Sequence, residues 1–157
     1  MATWGKLCAQ RPDLTESGRA LLYQHGVGLA FLATTRPDSR PRVHPMCPLF
    51  DDDGMFAFIV PSPKQADLRR NGFYAMHSFP CPDDENAFYV TGRAHLVDDS
   101  AVRAALSRQF VAERAQFAVP PPSDNDQLFE FDIDSCLLTR TTGHGDPAPQ
   151  HDVWREG

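Results

Sequence analysis

Three apolar runs separated only by turns decide most of what this chain can fold into. Residues 28–35 read G-L-A-F-L-A-T-T, residues 41–50 follow after P-D-S-R, and residues 55–60 (M-F-A-F-I-V) follow after D-D-D-G. Short apolar runs bounded by such clusters read as strands joined by tight turns. Turns this short can only join antiparallel neighbours, because a parallel pair needs a crossover of roughly a dozen residues. Pro41, Pro45 and Pro48 make the second run irregular, or an edge strand. Residues 73–79, 87–97, 128–133 and 136–142 read as further strands. Gly92 inside the fifth run marks a bulge or a close backbone approach. Helices are predicted over residues 14–25, with Asp13 and Glu16 as a capping box and Gly26 as the stop, over 62–70, and over 98–117. The pattern is mainly β: a small antiparallel barrel of six to seven strands with peripheral helices.

The chain has 157 residues, which suits one domain with its own core. Residues 1–13 read as an N-terminal arm and 143–157 as a polar C-terminal tail. A net charge of −6 argues against non-specific nucleic-acid binding. No apolar run approaches the ~18 residues of a membrane span. The first residues, M-A-T-W-G-K-L-C, lack the apolar centre of a signal peptide. Cys8, Cys47, Cys81 and Cys136 form no C-x-x-C pair, so they read as reduced thiols of a cytoplasmic protein. No metal site is expected, since His44 and Cys47 make an isolated H-x-x-C. No strand leads into G-x-G-x-x-G, and neither Ser62 nor Ser78 sits in G-x-S-x-G, which removes the Rossmann and serine-hydrolase readings.

The chemistry is concentrated in V-P-S-P-K-Q-A-D-L-R-R-N, residues 60–71, read with P-R-V-H-P at 41–45. Ser62, Pro63 and Gln65 write a helix start: N-cap, first position and capping-box partner. Lys64 falls in the first turn, where the helix dipole disfavours a cation unless an anion is near. One reading is therefore a phosphate seat, with Arg42 and His44 as further donors. The other is a surface helix with a solvated lysine.

These segments resemble the pyridoxamine 5′-phosphate oxidase-like, FMN-binding split-barrel superfamily. The resemblance runs from about Leu14 to the end. It rests on G-V-G-L-A-F-L-A-T, D-S-R-P-R-V-H-P, F-I-V-P-S-P-K-Q-A-D-L-R-R-N, the later F-Y-V-T-G-R-A-H-L-V-D-D and the terminal W-R. It implies a split barrel that forms a homodimer with a cofactor at each side of the interface. It assigns Arg42, Ser62 and Lys64 to the FMN phosphate, the strand end Ile59, Val60 and Pro61 to the flavin, and Val43, His44 and Pro45 to a strand under the ring. Trp154 and Arg155 are implied to reach the cofactor or substrate of the partner subunit from the C-terminal tail. Pro63 departs from the family's S-R-K and removes one bidentate phosphate donor, so that either Arg42 or Arg69 substitutes, or FMN is held more weakly, or the ligand differs.

The function implied is an FMN-dependent oxidoreductase that passes hydride through the flavin to a small molecule, with a nicotinamide as one possible donor. Such chemistry needs no catalytic triad, and His44 or His77 could supply a proton. One alternative is a reductase using the deazaflavin coenzyme of the F-420 type, whose acidic tail would meet Arg69, Arg70 and Arg93. Another is a non-catalytic flavin or haem carrier, with His44, His144 or His151 as axial ligand.

Overall fold

The computed structural model describes all residues from Met1 to Gly157. Two helices come first: α1 (Trp4–Gln10), capped by Thr3, and α2 (Pro12–Leu22). The predicted capping box on Asp13 is corrected. Pro12 starts the helix, Asp13 lies within its first turn, and the Asp13 carboxylate pairs with Arg11 at 3.0 Å. Arg11 is thus the shared joint between α1 and α2. The supposed N-terminal arm is therefore mostly helix, held down by Trp4 and Leu7, both buried.

The three apolar runs become β1 (Ala30–Thr35), β2 (Pro41–Met46), β3 (Leu49–Phe50) and β4 (Met55–Ile59). The second run divides at Cys47-Pro48, where proline offers no N–H to a ladder. The D-D-D-G turn closes through Asp51, whose Oδ1 accepts from Asp53 N (2.9 Å) and Gly54 N (2.7 Å). Next come α3 (Pro63–Arg70), β5 (Phe73–Ser78), β6 (Ala87–Leu96) and α4 (Ser100–Glu113). Asp99 caps α4 by accepting from Ala101 N and Val102 N. The last strands are β7 (Gln127–Arg140) and β8 (Gln150–Arg155). The two strands expected at 128–133 and 136–142 are one continuous strand, and the supposed polar tail carries the eighth.

All pairings are antiparallel, in the order β2-β1-β5-β6-β7-β4-β3, with β8 also on β7. β7 runs the length of β6 on one side. On its other side it carries β4 along its first half, Ala2 at Ile133, and β8 along its second half. The sheet curls into a split half-barrel around a core that includes Trp4, Leu32, Phe50, Phe88, Phe131 and Trp154. A smaller cluster, Leu49, Phe56, Leu106 and Leu128, seats α4. β6 and β7 pair through a bulge: the register shifts between Thr91 and Gly92. A Cβ on Gly92 would lie 1.9 Å from the Asp132 carbonyl oxygen, so both features expected of this glycine are present. No helix is long and apolar enough to cross a membrane.

Candidate functional site

The site is assembled where the edge strand β2 meets the start of α3. Strand alternation on β2 sends Arg42 and His44 to one face and Val43 and Pro45 to the other. β4 then ends at buried Ile59 and delivers exposed Val60 and Pro61 to the helix cap. Ser62 caps α3: its Oγ accepts from Gln65 N (3.4 Å) and donates to the Val60 carbonyl (2.8 Å). The Gln65 side chain reaches back to the Ile59 carbonyl (2.7 Å), so the strand end and the helix start are tied together. Lys64 Nζ donates to the Pro45 carbonyl at 3.3 Å, fastening the first turn of α3 to β2.

Arg42 donates through Nε to Asp67 at 2.9 Å, and Asp67 is 2% exposed. Thr34 of β1 donates to the same carboxylate oxygen (2.9 Å), and Arg70 donates to the other (3.1 Å). Burial alone would raise the Asp67 carboxyl. The bonds from Arg42, Arg70 and Thr34 outweigh it and hold the group below the usual carboxylate range.

His44 and Lys64 are both biased toward their neutral forms. Burial lowers the His44 imidazole, and the charges of Lys64 and Arg42 lower it further. Burial also lowers the Lys64 ammonium, with the neighbouring Cys47 acting against it. His44 Nε2 is buried and has no hydrogen-bond partner. The Asp67 carboxylate acts against the lowering of His44 without reversing it, and two cations beside an imidazole with an orphaned ring nitrogen form a surrounding that favours an anion. The donor set therefore fits a phosphate. Seating a phosphate there should raise the His44 pKa, because its charge offsets those of Lys64 and Arg42. The ring-proton NMR titration of His44 with and without inorganic phosphate checks this. A midpoint that does not move upward would place the anion elsewhere.

The structure thus brings Arg42, His44, Ser62 and Lys64 together, with Val60 and Pro61 beside them. Val43 and Pro45 lie on the outer face of the sheet, Val43 being 60% exposed. Trp154 and Arg155 lie on β8, separated from β2 in the sheet by β7, β6, β5 and β1. Trp154 is buried in its own chain, opposite Cys136, with Nε1 donating to Gln10 at 3.0 Å. Arg155 points outward. Of the two substitutes for the arginine displaced by Pro63, Arg42 is at the seat. Arg69 lines a separate cleft of about 490 Å³ at the other end of α3, together with Arg70, Arg93 and His95. Sequence reasoning passed over Asp67 and Thr34. The one signal for Asp67 was an acid set among the cations of K-Q-A-D-L-R-R.

An antiparallel split barrel whose edge strand carries Arg42 and His44 beside the Lys64 helix start defines the class of the fold. The family model for pyridoxamine 5′-phosphate oxidase matches residues 14–140, and the chain belongs to that family. No curated protein matches it. Among solved structures it is similar to General Stress Protein 26 from Bacillus anthracis. Identity is 19%, the match covers 78% of this chain and 91% of that one, and the TM-score is 0.60. It is also similar to a heme binding protein from Mycobacterium smegmatis (11% identity, 88% and 57% covered, TM-score 0.65). A third similar structure is an F-420 reductase (18% identity, 74% and 94% covered, TM-score 0.57). At these identities the likeness carries the fold.

Proposed function

We propose that this protein is an FMN-dependent oxidoreductase working as a homodimer on a small-molecule substrate, with Arg42, His44, Ser62 and Lys64 holding the FMN phosphate. The observation that carries this reading is the orphaned His44 Nε2 beside Lys64 and Arg42. Bound FMN would supply the two-electron redox centre, while the protein supplies binding, orientation and electrostatics. Ser62 orients the cap, Lys64 and Arg42 neutralise the phosphate, and Val60 and Pro61 border the space beside it. The family, whose members are often dimers, supports the second copy. So does the outer sheet face, where Phe31, Val43, Phe73 and Val153 are exposed on one side of the register. Arg155 lies on that same face, so a copy packed there is its route to a partner's flavin. Four free cysteines agree with a reducing, cytoplasmic setting.

Purified protein mixed with FMN and desalted should keep a two-banded yellow spectrum. Lys64→Ala should weaken FMN by roughly 1.5–3 kcal/mol, the range for a hydrogen bond to a charged group. Isothermal titration of FMN into the wild type and the variant measures this, and equal affinities would remove Lys64 from the seat. A second reading, the deazaflavin coenzyme, is favoured by one observation: Arg69, Arg70 and Arg93 line a single cleft. A protein that ignores FMN but retains the deazaflavin would move the assignment there. The haem reading has less behind it. Nε2 of His144 sits 3.1 Å from the Pro82 carbonyl and His151 is exposed, which leaves the unpartnered Nε2 of His44, the nitrogen the phosphate reading uses, as its candidate ligand. A Soret band would revive it.

A further inference from the structure

We infer that Asp67 is a positioning residue of the phosphate seat, holding the Arg42 guanidinium by Nε so that its two terminal nitrogens face the ligand. This rests on the FMN reading above. Arg42 stands on an edge strand, where a long side chain would otherwise sample many rotamers. Its Nε–H goes to Asp67 at 2.9 Å, and the protein offers no hydrogen-bond partner to either terminal nitrogen. The guanidinium is thus gripped at its base and open at its fork, the end that meets phosphate through two parallel bonds. Asp67 is itself immobilised. It is 2% exposed, its carboxylate accepts from Arg42, Thr34 and Arg70, and Arg70 also donates to the Thr35 carbonyl. The fork is therefore fixed before the ligand arrives, which cuts the ordering cost of binding.

The charge count matters as much as the geometry. One carboxylate serves two arginines, Arg42 and Arg70. Net positive charge therefore remains, and Lys64 beside the seat adds to it. An acid that neutralised Arg42 alone would weaken the attraction for an anion. This arrangement also accounts for the loss of the family arginine at Pro63: the remaining arginine is held in place where a second one would have shared the work.

Asp67 also ties α3 to β1, so the test separates positioning from folding. Its readout is the ratio of riboflavin to FMN dissociation constants, which isolates the phosphate because riboflavin lacks one. Asp67→Asn keeps the shape and removes the charge. The ratio should fall roughly three- to tenfold, the worth of immobilising one long side chain, while riboflavin affinity stays unchanged. Placed on Arg42→Ala, where no guanidinium is left to hold, the same change should not lower the ratio further. Thr34→Val removes a bond to Asp67 but leaves Arg42 gripped, so it should lower stability without moving the ratio. Arg42→Lys is the variant for the case where Asp67→Asn does not fold. One ammonium cannot hold Asp67 and present a fork, so its ratio should fall, by less than that of Arg42→Ala because the charge is kept.

A folded Asp67→Asn protein with the wild-type ratio, or an Arg42→Lys protein that keeps it, would overturn the proposal. Failure of the FMN reading looks different: the wild type would bind FMN no better than riboflavin, and Lys64→Ala would change nothing. If neither flavin binds, the same comparison is made with inorganic phosphate on the His44 resonance. A phosphate-induced shift that persists in Asp67→Asn at wild-type midpoint concentration would then overturn the positioning role.

Discussion

Gly92→Ala is expected to lose about 3 kcal/mol of stability, the upper end of the range for overpacking a core, or to fail to fold. The added methyl would sit 1.9 Å from the Asp132 carbonyl oxygen and 3.0 Å from the Ile133 Cα, both backbone atoms that cannot swing aside. Relief would require β6 and β7 to separate where their register shifts, and these two strands hold the middle of the sheet. A urea melt read by far-UV circular dichroism measures the loss. A midpoint within the error of wild type would mean that the bulge slides to absorb the methyl.

Trp154→Ala should cost about 3–5 kcal/mol, as removal of a large buried aromatic does. Its neighbour Arg155, exposed on the same strand, should change stability by about 0.5 kcal/mol or less when replaced by alanine. The contrast follows from strand alternation: Trp154 points into the main core and reaches Gln10 of α1, while Arg155 points out. Thermal and urea melts of the two variants test it. If Trp154→Ala melts like the wild type yet loses cofactor, the indole serves an interface between copies rather than the core of its own chain.

The sheet was legible where local chemistry speaks for itself. P-D-S-R and D-D-D-G dictate hairpins whatever surrounds them, and Ser62, Pro63 and Gln65 start a helix that Ser62 in fact caps. Elements that owe their form to distant partners were not legible. Q-H-D-V-W-R carries little strand signal of its own and becomes β8 because β7 offers an open edge. The seven residues of α1 are too few to hold a helix in isolation, and they do so here by burying Trp4 and Leu7. The break expected between residues 133 and 136 reflected the polar Asp134 and Ser135; β7 runs on through both, with Ser135 paired to Thr91, Ile133 paired to Gly92 and Asp134 the extra residue between them. At the site, residue types and spacing pointed to Ser62, Lys64, Arg42 and His44 as neighbours. Asp67 escaped notice because an acid three residues before an arginine on a helix ordinarily reads as a solvated pair. Only the docking of α3 against β1 removes it from water.

The open side of β7 is covered by three pieces of chain that the sequence keeps far apart: β4, Ala2 and β8. Ala2 and Ile133 exchange both of their backbone hydrogen bonds across more than a hundred residues. Contacts of such long range close large loops, and the chain entropy lost in closing them is repaid only at the end. The hairpins β1–β2 and β3–β4 can form early and alone, whereas the seam along β7 can be sewn only after everything between has found its place. This barrel should accordingly belong among the slow folders of its size. Until that seam closes, an unpaired stretch of β7 stays exposed to any other strand in solution, which makes the pace of folding itself a hazard for aggregation.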